Sequence, residues 1–219
     1  MQTKHPKLFV VIASVSLVII SLLVGIIVKT VPFVVKIDNF FYVIINSLPH
    51  TAFLDKLSFI FGVWFLPWKI FFLPAFFYFL IIPFVIFMYF KRRNKFVKAM
   101  LTIGFAYFIA LFVMIIDTHF VYRERPFMHL PAQSISSSAK YILTKVTSYP
   151  SGHARDTVIL VLIISYFIPA LRIPLLMFAV FLGFGRVYSG EHYPFDVIFG
   201  MLFGCVIAKL SIFIVNDKN

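Results

Sequence analysis

Apolar residues run through this chain in blocks long enough to cross a bilayer, and polar residues gather between them. At 1.5 Å rise per residue a helical span needs about 20 mainly apolar residues. The blocks 8–28 and 70–90 carry no charge, and neither does the slightly shorter block 99–116. Block 151–171 spans only if its polar start forms the first turn. Block 173–188 follows Arg172, and 194–215 ends the set with Lys209 placed to snorkel. Six spans result. Pro74, Pro83 and Pro169 lie inside or near the ends of spans, where kinks are tolerated.

Between the first two spans, Ile37, Phe40, Phe41, Ile44, Ile45 and Leu48 recur at helical spacing, with Asp38 and Asn39 near the start as capping candidates. This pattern predicts an amphipathic helix, lying in the interface or packed on the bundle. The fold expected is therefore all-α: a six-helix transmembrane bundle with an interfacial amphipathic helix between the first two spans, formed by residues 1–219 as a single domain.

Composition sharpens this picture. Hydrophobic residues make up 62% of the chain and charged residues 13%, about half the charge of a soluble domain. Thirty phenylalanines suit a lipid-facing surface or a packed interior, and their number does not separate the two. The lone Cys205 excludes an intrachain disulfide and reads as a small packed apolar residue. A net charge of +12 favours anionic partners, first of all membrane lipid headgroups. The basic residues are scattered over short loops, which argues against nucleic acid. The basic start followed by an apolar run resembles a signal peptide, but no small-residue cleavage site stands out, so an uncleaved first helix is expected.

Orientation follows from basic residues near the spans. Lys91, Arg92, Arg93, Lys95 and Lys98 crowd the connection between the second and third spans, which marks that side as cytoplasmic. An even number of spans puts both termini there too. Three short polar islands then fall on the extracytoplasmic face of a multi-pass protein of the cell membrane.

Those islands carry the chemistry. Ionisable groups are costly within membrane segments and usually sit there for function. In Pro150-Ser151-Gly152-His153, Ser151 suits the N-cap of the fourth span. The helix start then offers backbone N–H groups to an anion, and Gly152 allows close approach. Read alone, the island is an ordinary capped helix with an incidental histidine. His192 and Asp196 stand four apart, near enough for the carboxylate to fix one imidazole nitrogen and leave the other as nucleophile or base. Asp196 also suits a helix N-terminus on charge alone. Gly200 and Gly204 continue the spacing and suit a tightly packed face. Arg125 and Arg186 can grip phosphate oxygens in forked pairs, although Arg125 can equally pair with Glu124. Arg155 is a further candidate two residues beyond His153.

The order and spacing of Arg125-Pro126, Pro150-Ser151-Gly152-His153 and Arg186-x5-His192-x3-Asp196 resemble the type 2 phosphatidic acid phosphatase superfamily. Its signature reads Lys-x6-Arg-Pro, Pro-Ser-Gly-His and Ser-Arg-x5-His-x3-Asp. Thr118 stands where the signature has lysine, and Gly185 where it has serine. Arg123, His119 and Arg155 are each able to supply the missing lysine's charge; Arg155 is preferred because a helix start holds it near His153.

The resemblance implies a membrane phosphatase that hydrolyses the terminal phosphate of a lipid phosphate or diphosphate, such as undecaprenyl diphosphate, phosphatidate or phosphatidylglycerophosphate. It implies His192 as nucleophile through a phosphohistidine, Asp196 as its orienting partner, and His153 as acid and then base. Arg125, Arg186, Ser151, Gly152 and Arg155 are the expected phosphate-binding residues. No cofactor or metal is expected, and no metal-ligand pattern stands out in the chain. The alternatives are a lipid phosphotransferase, a non-catalytic lipid-phosphate binder or carrier, and a transporter. A transporter would place charges at mid-span, whereas these sit at helix ends.

Overall fold

The computed structural model describes residues 6–55, 75–132, 144 and 146–216. Every regular element among them is helical. In chain order they are α1 (Pro6–Thr30), α2 (Pro32–Asn46), α3 (Ala75–Lys91), α4 (Arg93–Phe120), α5 (Gly152–Phe167), α6 (Arg172–Tyr188) and α7 (Pro194–Asn216), with short 3-10 turns at Pro126–Met128 and Pro169–Leu171. Among the described residues, four stretches are long and apolar enough to cross a membrane: Leu8–Thr30, Arg93–Phe120, Pro169–Tyr188 and Pro194–Asn216. The second expected span begins outside the described residues, and its described part, Phe79–Lys91, is a shorter apolar helix.

Several boundaries differ from the apolar blocks for physical reasons. α4 runs past both ends of block 99–116, because charged residues continue a helix wherever its surface meets polar surroundings. The connection between α3 and α4 is Arg92 alone, so most of the basic cluster lies on the exposed first turns of α4. The fourth block stops at Phe167, since Pro169 restricts the residue before it; Ile168 is extended, at φ −133° and ψ 78°.

α5 is the central helix. It is buried nearly all round, from Ala154 through Phe167, and it packs against α3, α4, α6 and α7. The core joins Ala106, Ile109, Ala110 and Val113 of α4 to Ile159, Leu160 and Ile163 of α5 and Phe203 and Ile207 of α7. Phenylalanines serve both surface and core. Phe79, Phe90, Phe108, Phe112 and Phe120 point outward, while Phe84, Phe167 and Phe203 are buried.

α2 follows α1 after the single residue Val31. It starts at Pro32, so Asp38 and Asn39 sit mid-helix and cap nothing. Its faces are also reversed relative to a soluble amphipathic helix. Asp38, Tyr42 and Asn46, at four-residue spacing, are its buried residues, whereas Phe40, Phe41, Ile44 and Leu48 are exposed. The apolar stripe is therefore not the packing face. The polar stripe is, because the site end of the bundle supplies its partners.

α5 and α7 meet backbone to backbone. A Cβ at Gly200 would lie 2.6 Å from the Ser151 carbonyl oxygen, and one at Gly204 would lie 2.5 Å from that of Arg155. The four-residue glycine spacing thus marks a real seam. It brings the start of α5 against the start of α7, where two of the three polar islands sit.

Gly204→Ala should lower the thermal unfolding midpoint in detergent, with a cost of about 1–3 kcal/mol for overpacking against backbone. Gly104→Ala should leave it unchanged or raise it, since nothing lies within 4 Å of a Cβ there and alanine favours helix. Equal effects of the two substitutions would show that the seam is not tightly packed.

Candidate active site

The end of α4, the starts of α5 and α7 and the end of α6 converge at one end of the bundle. Three loops link or approach them: 121–125, 146–151 and 189–193. After α6 the chain reverses at Gly190, whose φ of +79° favours glycine. The reversal lets the backbone N–H groups of Glu191 and His192 both donate to the Arg186 carbonyl, at 3.1 and 3.2 Å. Arg186 and His192 are thereby locked to the same turn.

His192 is buried, at 2% exposure. Its Nδ1 lies 2.8 Å from the Ser148 carbonyl oxygen, which can only accept, so Nδ1 carries the hydrogen and Nε2 the lone pair. Nε2 faces Arg125 Nη1 at 3.2 Å. Asp196 stands one step further away, 3.9 Å from Nδ1 through Oδ2. The carboxylate expected to touch the imidazole therefore acts beside it, while a backbone carbonyl sets the tautomer.

Asp196 is fully buried and heavily solvated by protein. Arg123 Nη1 donates to its Oδ1 at 2.5 Å. Ser148 Oγ and the Tyr193 N–H donate to its Oδ2 at 2.5 and 3.0 Å. Its own carbonyl accepts the Ser151 N–H at 2.9 Å, which ties the second island to the third.

Two buried arginines, Arg125 and Arg186, act on the imidazole electrostatically. Arg125 donates to the Glu191, Thr147 and Val146 carbonyls at 2.9, 3.3 and 3.3 Å, and it does not pair with Glu124, which contacts His129 instead. Burial lowers Arg125 to about 10, which leaves it charged at neutral pH. Arg186 is 1% exposed and meets Glu191 through Nη2, while its Nε and Nη1 make no hydrogen bond.

Ser151 occupies the N-cap position of α5, but its hydroxyl makes no capping bond and is buried with no hydrogen-bond partner. Gly152 is open: a Cβ there would meet only Arg155 Nη2, at 4.0 Å. His153 lies in the first turn of α5, half-buried. Arg155 is held through Nε by Asp156 at 2.7 Å. Thr118 is exposed on α4.

Four participants escaped sequence reasoning in their actual roles. Ser148 orients His192 through a main-chain carbonyl, which no side-chain pattern reveals. Glu191 is hidden in the spacing between Arg186 and His192. Asp38 read as a cap, and Arg123 as one of three lysine substitutes. Serine, aspartate and arginine bracketing the motif were the available signal. Among the described residues no group of three or more His, Cys, Asp or Glu is arranged to hold a metal ion.

A family model described as the PAP2 superfamily matches residues 99–219, more than half of the chain. A lipid A 1-phosphatase of Rhizobium johnstonii is 36% identical over 64 residues, which is 29% of this chain and 26% of that protein. One of Rhizobium etli is 39% identical over 57 residues, 26% of this chain and 25% of that protein. The chain thus matches about a quarter of the length of these curated relatives. In fold it resembles the crystal structure of a PAP2-type phosphatidylglycerolphosphate phosphatase from Bacillus subtilis, with a TM-score of 0.66 at 18% identity over 94% of this chain and 98% of that one. The crystal structure of Aquifex aeolicus LpxE gives a TM-score of 0.52 at 21% identity over 78% and 92%.

Burial, and after it the Arg125 guanidinium, pushes His192 from the usual 6.5 down to about 3. Below about pH 6.5 an unfolded chain would protonate this imidazole while the folded protein holds it neutral. A group that binds protons preferentially in the unfolded state costs stability as pH falls. This contribution is intact above pH 6.5 and drains away towards pH 3. The unfolding midpoint of the wild type should therefore drop between pH 7 and 4.5 more steeply than that of His192→Gln. Parallel curves would show that His192 is not held neutral.

Proposed function

Because the chain belongs to the PAP2 superfamily, we propose that it is a metal-independent lipid phosphate phosphatase with His192 as its nucleophile. The observation that carries this reading is the pairing of a neutral imidazole, its Nε2 lone pair aimed at Arg125, with a buried Arg186 whose Nε and Nη1 make no hydrogen bond. A phosphoryl group seated between them meets forked donors and a nucleophile together.

In the first step Nε2 attacks phosphorus, and the bond to the lipid oxygen breaks. His153 gives that oxygen a proton, and a phosphohistidine forms. In the second step His153 takes a proton from water, whose oxygen attacks phosphorus. The P–N bond breaks, and inorganic phosphate leaves. Arg125, Arg186 and Arg155, with the Ser151 hydroxyl and the Gly152 amide, stabilise the equatorial oxygens as negative charge shifts. Asp196 steadies the imidazole as it becomes cationic.

The relatives named above are a lipid A 1-phosphatase and a phosphatidylglycerolphosphate phosphatase, which favours a membrane lipid bearing a terminal phosphate. Undecaprenyl diphosphate and phosphatidate belong to the same class. Counting α3 and α5 as spans gives six, and the basic residues between α3 and the start of α4 then favour cytoplasmic termini and a site on the extracytoplasmic face. Alanine at Cys205 with a cysteine at Met128 or Asn94 tests this: an impermeant thiol reagent should label Met128→Cys in intact cells and spare Asn94→Cys. The reverse would turn the site to the cytoplasm.

Purified protein should release phosphate from at least one of lipid A 1-phosphate, phosphatidylglycerophosphate, phosphatidate and undecaprenyl diphosphate, with chelator present. His192→Ala should abolish turnover and the acid-labile phosphoenzyme. His153→Ala should slow turnover by about 10²–10⁴-fold, the usual range for a general acid–base group. An unimpaired His192→Ala enzyme, or activity lost with chelator, would overturn the mechanism.

A further inference from the structure

The buried stripe of α2 reaches directly into this site. Asp38 is fully buried, and both of its carboxylate oxygens are used. Arg123 Nη2 donates to Oδ2 at 2.7 Å, and the Phe195 N–H donates to Oδ1 at 2.8 Å. Arg123 therefore bridges two buried carboxylates, Asp38 through Nη2 and Asp196 through Nη1. Its guanidinium also lies over the Tyr193 ring, 4.0 Å from the centroid. Tyr42 contacts the same ring, and Asn46 Nδ2 donates to the Tyr188 carbonyl at 2.8 Å.

Charge decides what this arrangement does. Arg123 is a single cation between two anions, so the cluster carries a net negative charge. Such a cluster does not attract a phosphate, which excludes Arg123 as a stand-in for the signature's lysine. The cluster's Asp196 carboxylate lies on the Nδ1 side of His192, 3.9 Å away, while Arg125 lies on the Nε2 side. Attack through Nε2 makes the imidazole cationic, and the net negative cluster then stabilises it.

We propose that Asp38 is a positioning residue for the reaction: through Arg123 it fixes Asp196 beside His192 and keeps that side of the imidazole negative. The proposal rests on the reading of His192 as nucleophile. A buried carboxylate would otherwise carry a desolvation cost with no return, and α2 would need no charge on the face it packs inward.

Asp38→Asn keeps an oxygen for the Phe195 N–H and removes the ion pair to Arg123. Its kcat on the preferred lipid phosphate should fall about tenfold or more, with KM and vanadate inhibition within about threefold. In an Arg123→Gln background the same substitution should cost little more, because Asp38 acts through that side chain. Asp38→Glu should recover part of the loss. If Asp38→Asn does not fold, Arg123→Lys serves instead: a lysine keeps the charge but not the two-pronged bridge, so kcat should fall with KM preserved. Full kcat in Asp38→Asn or Arg123→Lys, losses that multiply in the double variant, or a rise in KM alone would overturn the proposal. His192→Ala measured alongside separates the two readings: if it is inactive while Asp38→Asn is unimpaired, only the role of Asp38 fails.

Discussion

A carboxylate buried without water must find donors, and the need to satisfy Asp196 organises this end of the bundle. An ionised group sequestered from solvent is tolerated only when charge and hydrogen bonds replace its hydration. Here the donors come from far apart: Arg123 from the loop after α4, Ser148 from the segment before α5, Tyr193 from the turn before α7. None can reach Asp196 unless all three loops dock. The same docking puts the Ser148 carbonyl on His192 and Arg125 against its other nitrogen. The imidazole's orientation thus follows from meeting one anion's demand for partners.

The seam beneath sets how closely those loops can approach. With glycine at 200 and 204, α7 lies against the main chain of Ser151 and Arg155 at the start of α5, and the Ser151 N–H reaches the Asp196 carbonyl. A side chain at either position would part the helices at the depth where the two islands meet. Packing density and site geometry are therefore one constraint here: the small residues that let α7 lie against the central helix also bring the Ser151–His153 segment to the His192 side.

Much of this was legible because the signals were local. Apolar blocks marked α1, α4 and α7, and fixed spacing tied Arg186, His192 and Asp196 to one turn and one helix start. The spacing in α2 marked an amphipathic helix but left open whether it lies in the interface or packs on the bundle. Its polar stripe packs inward, with polar partners there and the apolar residues outside, so Asp38, legible only as a cap, meets the site. Ser148 was illegible for another reason: it orients His192 through a backbone carbonyl, a group every residue possesses. That Arg123 pairs with Asp196 was illegible as well, because only packing decides where the loop after α4 buries that side chain.

The imidazole at the centre sits between two fields of opposite sign. Burial and the charges of Arg125 and Arg186 keep His192 neutral. Under the proposed mechanism the same positive charges oppose the cation that forms once phosphorus is bound. An arriving phosphate would reverse the balance, because its negative charge offsets the arginines. The cluster of Asp38, Arg123 and Asp196 would then act on an imidazolium with its net charge no longer outweighed. On that reading the empty site keeps its imidazole neutral near neutral pH and would stabilise positive charge on it only when an anionic headgroup is present. Selectivity for phosphate and activation of the nucleophile would then be the same electrostatic event, which requires that the carboxylates stay on the Nδ1 side and Arg125 on the other.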